Sequence, residues 1–385
     1  MPGGGDQRDP RSSDARSAAL VYRRVVVKVG TNLLTAGGDG LDAAAMAGIV
    51  AQVAALRERG GEAIVVSSGA IAAGRDRLNR PSQRPSDQVL AAVGQSRLMA
   101  MWDELFAAQG LVSAQALLTR DDLASRLGYL NARNTLLALL EFAVVPVVNE
   151  NDVVSVEEIE DSVIGDNDNL SALVANLVDA DLLLLLTDTA GLHTADPATA
   201  PDAQLIETVE RIDETIEAAA AGPGKRGKGG MRTKLEAARI AVQSGTHVMI
   251  ADGREDGVVL RAAGGQPTGT HFLPAGDRIE SRRRYLLSGL PVRGRVVVDR
   301  GAAEALTHGG TSLLPVGVVE ASGEFERGDV VQIHTQDGRH IANGVSNYGT
   351  ADVVRLRGVR SDRIAELLGH EYGEEIVHRN NLVLL

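Results

Sequence analysis

Two hydrophobic rhythms alternate along most of this chain. Residues 25–29, 63–67, 143–148, 182–186 and 247–252 are short apolar runs rich in Val, Ile and Leu, and residues 112–118 are a weaker one. Each stops at small polar residues or glycine, as a buried parallel strand does. Between them, residues 41–59, 88–109, 121–141, 170–178 and 231–244 carry apolar residues three and four apart, the spacing of amphipathic helices. Strand, polar loop and helix in repetition predict an α/β sandwich around a mainly parallel sheet. Such sheets bind ligands beyond the carboxyl ends of their strands. Here those ends carry Lys28-Val29-Gly30-Thr31, Ser67-Ser68-Gly69, Asn149-Glu150-Asn151-Asp152 and Thr187-Asp188.

The rhythm changes after about residue 272. Residues 275–290 are charged and read as a linker. From residue 291 to 385 the apolar runs are short and bounded by glycine and turns, which predicts a small mixed β-rich domain. Residues 1–22 are polar, with no apolar leader segment, and read as a disordered tail ahead of a first domain over 23–274.

Composition narrows the chemistry. The chain has 385 residues, no cysteine and a net charge of -12. Thiolate catalysis, disulfides and Cys-ligated zinc are excluded, and the usage fits a cytoplasmic protein. The acidic balance disfavours nucleic acid and anionic membranes as main partners, and 3% aromatics leave little for a base-stacking platform. No apolar run approaches membrane-spanning length. The eight histidines show no metal-ligating spacing, so no metal site is predicted.

Of 39 basic residues only four are lysine: Lys28, Lys225, Lys228 and Lys234. All stand beside or near glycine, where a compact ammonium can reach a phosphate as a point charge. The plain alternative is a set of solvated surface lysines. Gly69 and Gly74 have phosphate-loop spacing, but Arg75-Asp76 follow where Lys-Ser/Thr would stand, so this is no P-loop. Gly165-Asp166-Asn167-Asp168-Asn169 opens a helix with four capping-type residues where a cap needs one. Asn149 to Asp152 reads either as a ligand-contacting loop or as a turn, and Ser68-Gly69 either as a contact or as an ordinary strand end. Lysines beside glycine with carboxylates between them, and no activated nucleophile, point to phosphoryl transfer, which rests on positioning and charge neutralisation with Mg²⁺ assisting.

Val27 to Thr31, Val66 to Ala70, Ala92-Val93-Gly94-Gln95, Val148 to Asp152, Gly165 to Ser171, Leu186 to Asp188 and Gly229 to Lys234 together resemble the glutamate 5-kinase branch of the amino acid kinase family. Gly301, Gly310 to Pro315, Gly317, Arg327-Gly328-Asp329 and Gly344 are similar to a PUA domain. The resemblance implies ATP-dependent phosphorylation of the γ-carboxylate of L-glutamate, at the start of proline synthesis. It implies catalytic roles for Lys28, Lys234 and Asp168, and glutamate binding by Ser68, Gly69, Asn149, Asp152, Asp166 and Asn167. The ATP site it implies comprises Lys28, Gly30, Thr31, Thr187, Asp188, Lys228, Gly229, Gly230, Met231, Arg232, Thr233 and Lys234. Feedback inhibition by proline, a homo-oligomer and contact with the next enzyme, glutamyl phosphate reductase, are further implications. Rival readings keep the fold but change the acceptor to aspartate, N-acetylglutamate, carbamate or UMP. Another makes the C-terminal domain an RNA binder, against which stand its ten arginines, thirteen acids and lack of lysine.

Overall fold

The structure, a computed structural model, describes residues 19–78, 85–154, 167–197, 199–220, 230–274 and 292–385. The linker expected over 275–290, Asp166, Lys225, Lys228 and Gly229 lie outside these residues, as does the tail up to residue 18. Within the remainder of that tail, Val21 and Tyr22 donate their amides to Ala263 O and Tyr22 is buried, so packing starts before residue 23. The chain divides into two compact units, Met1–Arg120 with Ala132–Ala275, and Asp121–Asn131 with Gly276–Leu385.

The first unit is built on strands β1 (Arg24–Val29), β2 (Glu62–Ser67), β3 (Ser113–Leu118), β4 (Val145–Glu150), β5 (Leu182–Thr187), β6 (Thr208–Val209), β7 (His247–Asp252) and β8 (Thr270–Phe272). Their spatial order is β3-β4-β2-β1-β5-β7-β8-β6. Every pairing is parallel except β7 with β8. The sequence reading ended the sheet at residue 252. The short β8, three residues long, is too brief to show a period. The helices are α1 (Thr31–Leu34), α2 (Ala43–Glu58), α3 (Ala70–Leu78), α4 (Asp87–Ala108), α5 (Arg120–Ala124), α6 (Arg126–Glu141), α7 (Asn167–Leu177), α8 (Glu214–Ala220), α9 (Met231–Gln243) and α10 (Val258–Ala263). The single helix expected over 121–141 is two. Gly128 passes so close to Asp122 O that a Cβ would stand 2.1 Å from it, and Ser125 Oγ accepts from the Gly128 amide.

Side chains alternate across a strand. Val25, Val27 and Val29 share one core with Ile49 and Val53 of α2 and Met101, Trp102 and Phe106 of α4. Val26 and Lys28 therefore face the opposite side, where α7 lies against β1. That alternation sets the single lysine of β1 toward the first turn of α7.

The second unit holds a five-stranded sheet of β9 (Val292–Val298), β10 (Val318–Gly323), β11 (Val330–Thr335), β12 (His340–Val345) and β13 (Leu382–Leu384), in the order β10-β9-β11-β12-β13. Only β9 and β11 pair in parallel, so the sheet is mixed. Its core includes Val296, Phe325, Ile333, Tyr348 and Leu356.

Candidate active site

Lys28 leaves the end of β1 with a side chain only 6% exposed, and its Nζ lies 2.6 Å from Asp168 Oδ1. Lys234, in the first turn of α9, brings its Nζ to 3.2 Å from Asp168 Oδ2. Thr233 Oγ1 donates to the same oxygen at 2.7 Å. The Asp168 side chain is fully buried. Burial pushes its carboxyl pKa up, but the two ammonium groups and the Thr233 hydroxyl outweigh that and hold it below the usual carboxylate range. Asp168 is thus an ionised spacer between two cations, not a base.

Local sequence explains the convergence. Gly30 caps α1 and Gly230 caps α9, both with extended backbone and no side-chain cap hydrogen bond. Among the described residues, a Cβ on Gly230 would meet nothing within 4 Å. Two cations, one carboxylate and a helix N-terminus leave a net positive, largely dehydrated corner suited to anionic oxygens.

A second group adjoins Asp168 through its neighbour. Asn167 Nδ2 lies within hydrogen-bonding distance of Ser67 O at 2.9 Å, Asn149 Oδ1 at 3.0 Å and Ser68 Oγ at 3.3 Å. Asn149 Nδ2 in turn donates to Gln95 Oε1 at 2.8 Å. Trp102 Nε1 donates to Ser67 Oγ at 2.9 Å. With its amide nitrogen so engaged, Asn167 Oδ1 is a buried acceptor with no hydrogen-bond partner among the described residues. Gly69 adopts φ +97°, which turns the chain from β2 into α3 beneath Leu34 and Leu41.

At the adjoining strand ends, Asp188 Oδ2 accepts from Asn32 Nδ2 at 3.0 Å and Oδ1 from Thr187 Oγ1 at 3.2 Å. Arg254 donates to Asp188 O at 2.7 Å while pairing with Asp252 at 2.6 Å.

Lys28, Asp168, Thr233 and Lys234 thus form one buried group, and Ser68, Asn149 and Asn167 a second. Gly30, Thr31, Thr187, Asp188 and Gly230 lie at the strand ends and helix starts around them. Asp152 is half-buried in the turn after β4, and Met231 is half-buried at the start of α9. Arg232 departs from its expected place: its side chain is 84% exposed and pairs with Glu236 one turn along α9. Helical spacing turns position 232 away from the face that carries Thr233 and Lys234. The sequence reading assigned no role to Asn32, Trp102, Asp252 or Arg254, and Gln95 entered only as part of a quoted motif. For Gln95 the available signal was its place directly after Gly94 in the Ala92-Val93-Gly94-Gln95 run.

The model of the amino acid kinase family matches residues 23–252, and that of the PUA domain residues 294–368. A glutamate 5-kinase of Dehalococcoides mccartyi is 50% identical over 368 residues, 94% of this chain and 99% of that protein. A glutamate 5-kinase of Herpetosiphon aurantiacus is 47% identical over 94% of this chain and 98% of its own. Among solved structures, a carbamate kinase of Giardia lamblia bound to AMP-PNP aligns with 66% of this chain and 99% of its own, at 17% identity and a TM-score of 0.48. Family membership follows from the sequence relatives and not from that likeness.

Proposed function

This chain belongs to the amino acid kinase family, among its glutamate 5-kinases, and from that premise we infer how its residues carry out the transfer. The reaction moves the γ-phosphoryl group of ATP to the γ-carboxylate of L-glutamate and gives L-glutamyl 5-phosphate, the first step of proline biosynthesis. The observation that best supports the mechanism is the buried Lys28–Asp168–Lys234 group.

A carboxylate oxygen of glutamate attacks the γ-phosphorus as the bond from that phosphorus to the β,γ-bridging oxygen breaks, and ADP leaves. The acceptor is already ionised at neutral pH, its carboxyl pKa being about 4.3, so no general base is required. Negative charge spreads over the transferring phosphoryl oxygens and the leaving oxygen. Lys28 and Lys234 flank this group and neutralise that charge, and Asp168 fixes both ammoniums so that neither must reorganise during transfer. Gly30, Thr31, Thr187, Asp188, Gly230, Met231 and Thr233 border the nucleotide, and Lys228 and Gly229 are assigned to the same site from the sequence. Arg232 contributes backbone there, its side chain being turned outward.

Asn167 Oδ1 is the acceptor for the α-ammonium of glutamate, a buried oxygen that has no partner among the described residues. Ser68, Gly69, Asn149, Asp152 and Asp166 complete the glutamate site, with Gln95 fixing the amide of Asn149. Among the described residues no three His, Cys, Asp or Glu side chains converge as a metal site. Asp168 is already committed to two lysines; Mg²⁺ held by the ATP phosphates would supply further neutralisation of phosphoryl charge. Proline inhibition at the glutamate site, a homo-oligomer, a cytoplasmic location and transfer of the labile product to glutamyl phosphate reductase are parts of the same proposal. Among the described residues no helix is long and apolar enough to cross a membrane.

ATP turnover with Mg²⁺, with L-glutamate, L-aspartate, N-acetyl-L-glutamate and UMP offered in turn and hydroxylamine trapping any acyl phosphate, tests this reading; no turnover is expected with UMP. Hydroxamate from glutamate alone is expected, because an N-acyl group removes the ammonium that Asn167 Oδ1 accepts. Equal turnover of N-acetylglutamate would overturn the Asn167 assignment.

A further inference from the structure

We propose that Arg254, anchored on Asp252, is a positioning residue that holds the Thr187-Asp188 lip in place for ATP; this rests on the reading of that lip as part of the nucleotide site. Arg254 follows the last residue of β7 by two positions, and its guanidinium is used twice. Its Nε and Nη2 meet both oxygens of Asp252 at 2.9, 3.2 and 2.6 Å, and Nη2 also donates to Asp188 O at 2.7 Å. The Arg254 amide donates to Asp252 Oδ1 as well, at 2.9 Å. The fork is therefore locked on its own turn before it reaches across to the neighbouring strand end.

The lip is tied from three sides. Gly253 N donates to Thr187 O at 2.9 Å, which continues the β5–β7 ladder past the strand ends. A Cβ on Gly253 would lie 2.4 Å from Leu33 Cδ1 and 3.1 Å from Leu186 Cβ, so this turn is wedged against both α1 and β5. On the far side Asn32, also from α1, grips the Asp188 carboxylate. The turns after β1, β5 and β7 interlock, and Arg254 supplies the charged tie among them. α1 begins directly after Gly30, so the same interlock borders the end of β1, where Lys28 stands.

An arginine whose side chain is 65% exposed, paired within two residues, adds little to global stability. It does set where a backbone carbonyl and its carboxylate side chain point. A planar fork bridging one carboxylate and one carbonyl is work for arginine that the single ammonium of lysine does not reproduce.

Steady-state kinetics on the full chain tests this, with ATP and glutamate varied separately for the parent, Arg254→Gln, Arg254→Lys, Asp252→Asn and Asp188→Ala. For Arg254→Gln the expected result is a KM for ATP raised roughly tenfold, the scale of one charge-assisted hydrogen bond. The KM for glutamate, kcat at saturating ATP and the thermal midpoint stay within error of the parent. Arg254→Lys should lie nearer to Arg254→Gln than to the parent. Asp252→Asn decides between positioning and simple attraction. If Arg254 only drew phosphate by its charge, removing the neighbouring negative charge would lower the KM for ATP; as an anchor, its loss raises it. Asp188→Ala separates the two readings. A raised KM for ATP there with none in Arg254→Gln overturns the positioning role alone. No change in either overturns the lip as a nucleotide contact too. A lowered KM in Asp252→Asn, or parental behaviour of Arg254→Lys, also counts against the proposal.

Discussion

Asp168 sits between two cations in a site that water barely reaches, and each of its oxygens is committed to one lysine. Substitution Asp168→Asn keeps the shape and removes the counter-charge, leaving Lys28 and Lys234 buried against each other. Breaking a buried ion pair from one side typically costs about 3–5 kcal/mol. Urea unfolding of Asp168→Asn should show a loss of that order, with kcat reduced by roughly a hundredfold or more. Parental stability would mean that water or a rotated lysine takes up the charge. At this scale the sequence was informative for lysine, whose scarcity marked it out, though not for Trp102, the single tryptophan. Lysine occurs four times, and two of the four meet at this carboxylate. It was silent where the residue was common, as with Arg254, one arginine among thirty-five. The outward turn of Arg232 was already implicit in the helix read over 231–244, yet the resemblance placed Arg232 among the ATP residues.

Among the elements, α3 and α4 cross with their backbones in contact. A Cβ on Gly94 would fall 1.9 Å from Ala70 O and 2.4 Å from Gly74 N, and one on Gly74 1.9 Å from Leu90 O. None of these partners is a flexible side-chain end, so Gly94→Ala forces the helices apart. The expected cost is about 1–3 kcal/mol or more. Because α3 starts at Ala70, directly after Ser68-Gly69, and α4 carries Gln95, the KM for glutamate should rise more than that for ATP. Equal shifts in both would separate this crossing from the glutamate site. Periodicity foretold α4, β1 to β5 and β7, whose apolar runs are long enough to show, but not the two- and three-residue β6 and β8. It could not separate α5 from α6, whose break depends on one glycine against a carbonyl and one serine hydroxyl. Nor could it reveal strand order, which long-range pairing decides: β1 lies between β2 and β5 although Arg24, the first residue of β1, and Asp181, just ahead of β5, are 157 positions apart.

Across the whole molecule, the end of the sheet away from the active site carries its own electrostatic feature. His247 Nδ1 and His271 Nε2 lie 3.0 Å apart, under the ring of Tyr22. Burial and the neighbouring imidazole push the His271 pKa down to about 4. The folded state therefore favours neutral His271, while the unfolded chain takes up its proton near pH 6.5. The stability this gives is present above about pH 6.5 and is lost as pH falls toward 4. Denaturant midpoints at pH 7 and pH 5 should fall further apart for the parent than for His271→Gln; equal slopes would contradict the shift. The second unit adds a different dependence. It includes Asp121–Asn131, and Arg327 of its β-rich part pairs with Asn131 while stacking 4.1 Å over Tyr372. A chain ended near residue 285 loses those partners, so limited proteolysis should cut it within 121–131 faster than the full-length protein. The sequence placed residues 121–131 with the first domain, since a helical period shows which face is apolar but not what will cover it.

The central claim is that two buried lysines, spaced by one carboxylate, carry the transfer without a general base. Its most direct test is the rate of glutamyl hydroxamate formation by full-length Lys234→Ala at saturating Mg·ATP and glutamate, alongside its thermal unfolding curve. The expected result is a cooperatively folded protein whose kcat is lower by roughly 10²–10³-fold. A folded variant that turns over at the parental rate would contradict it.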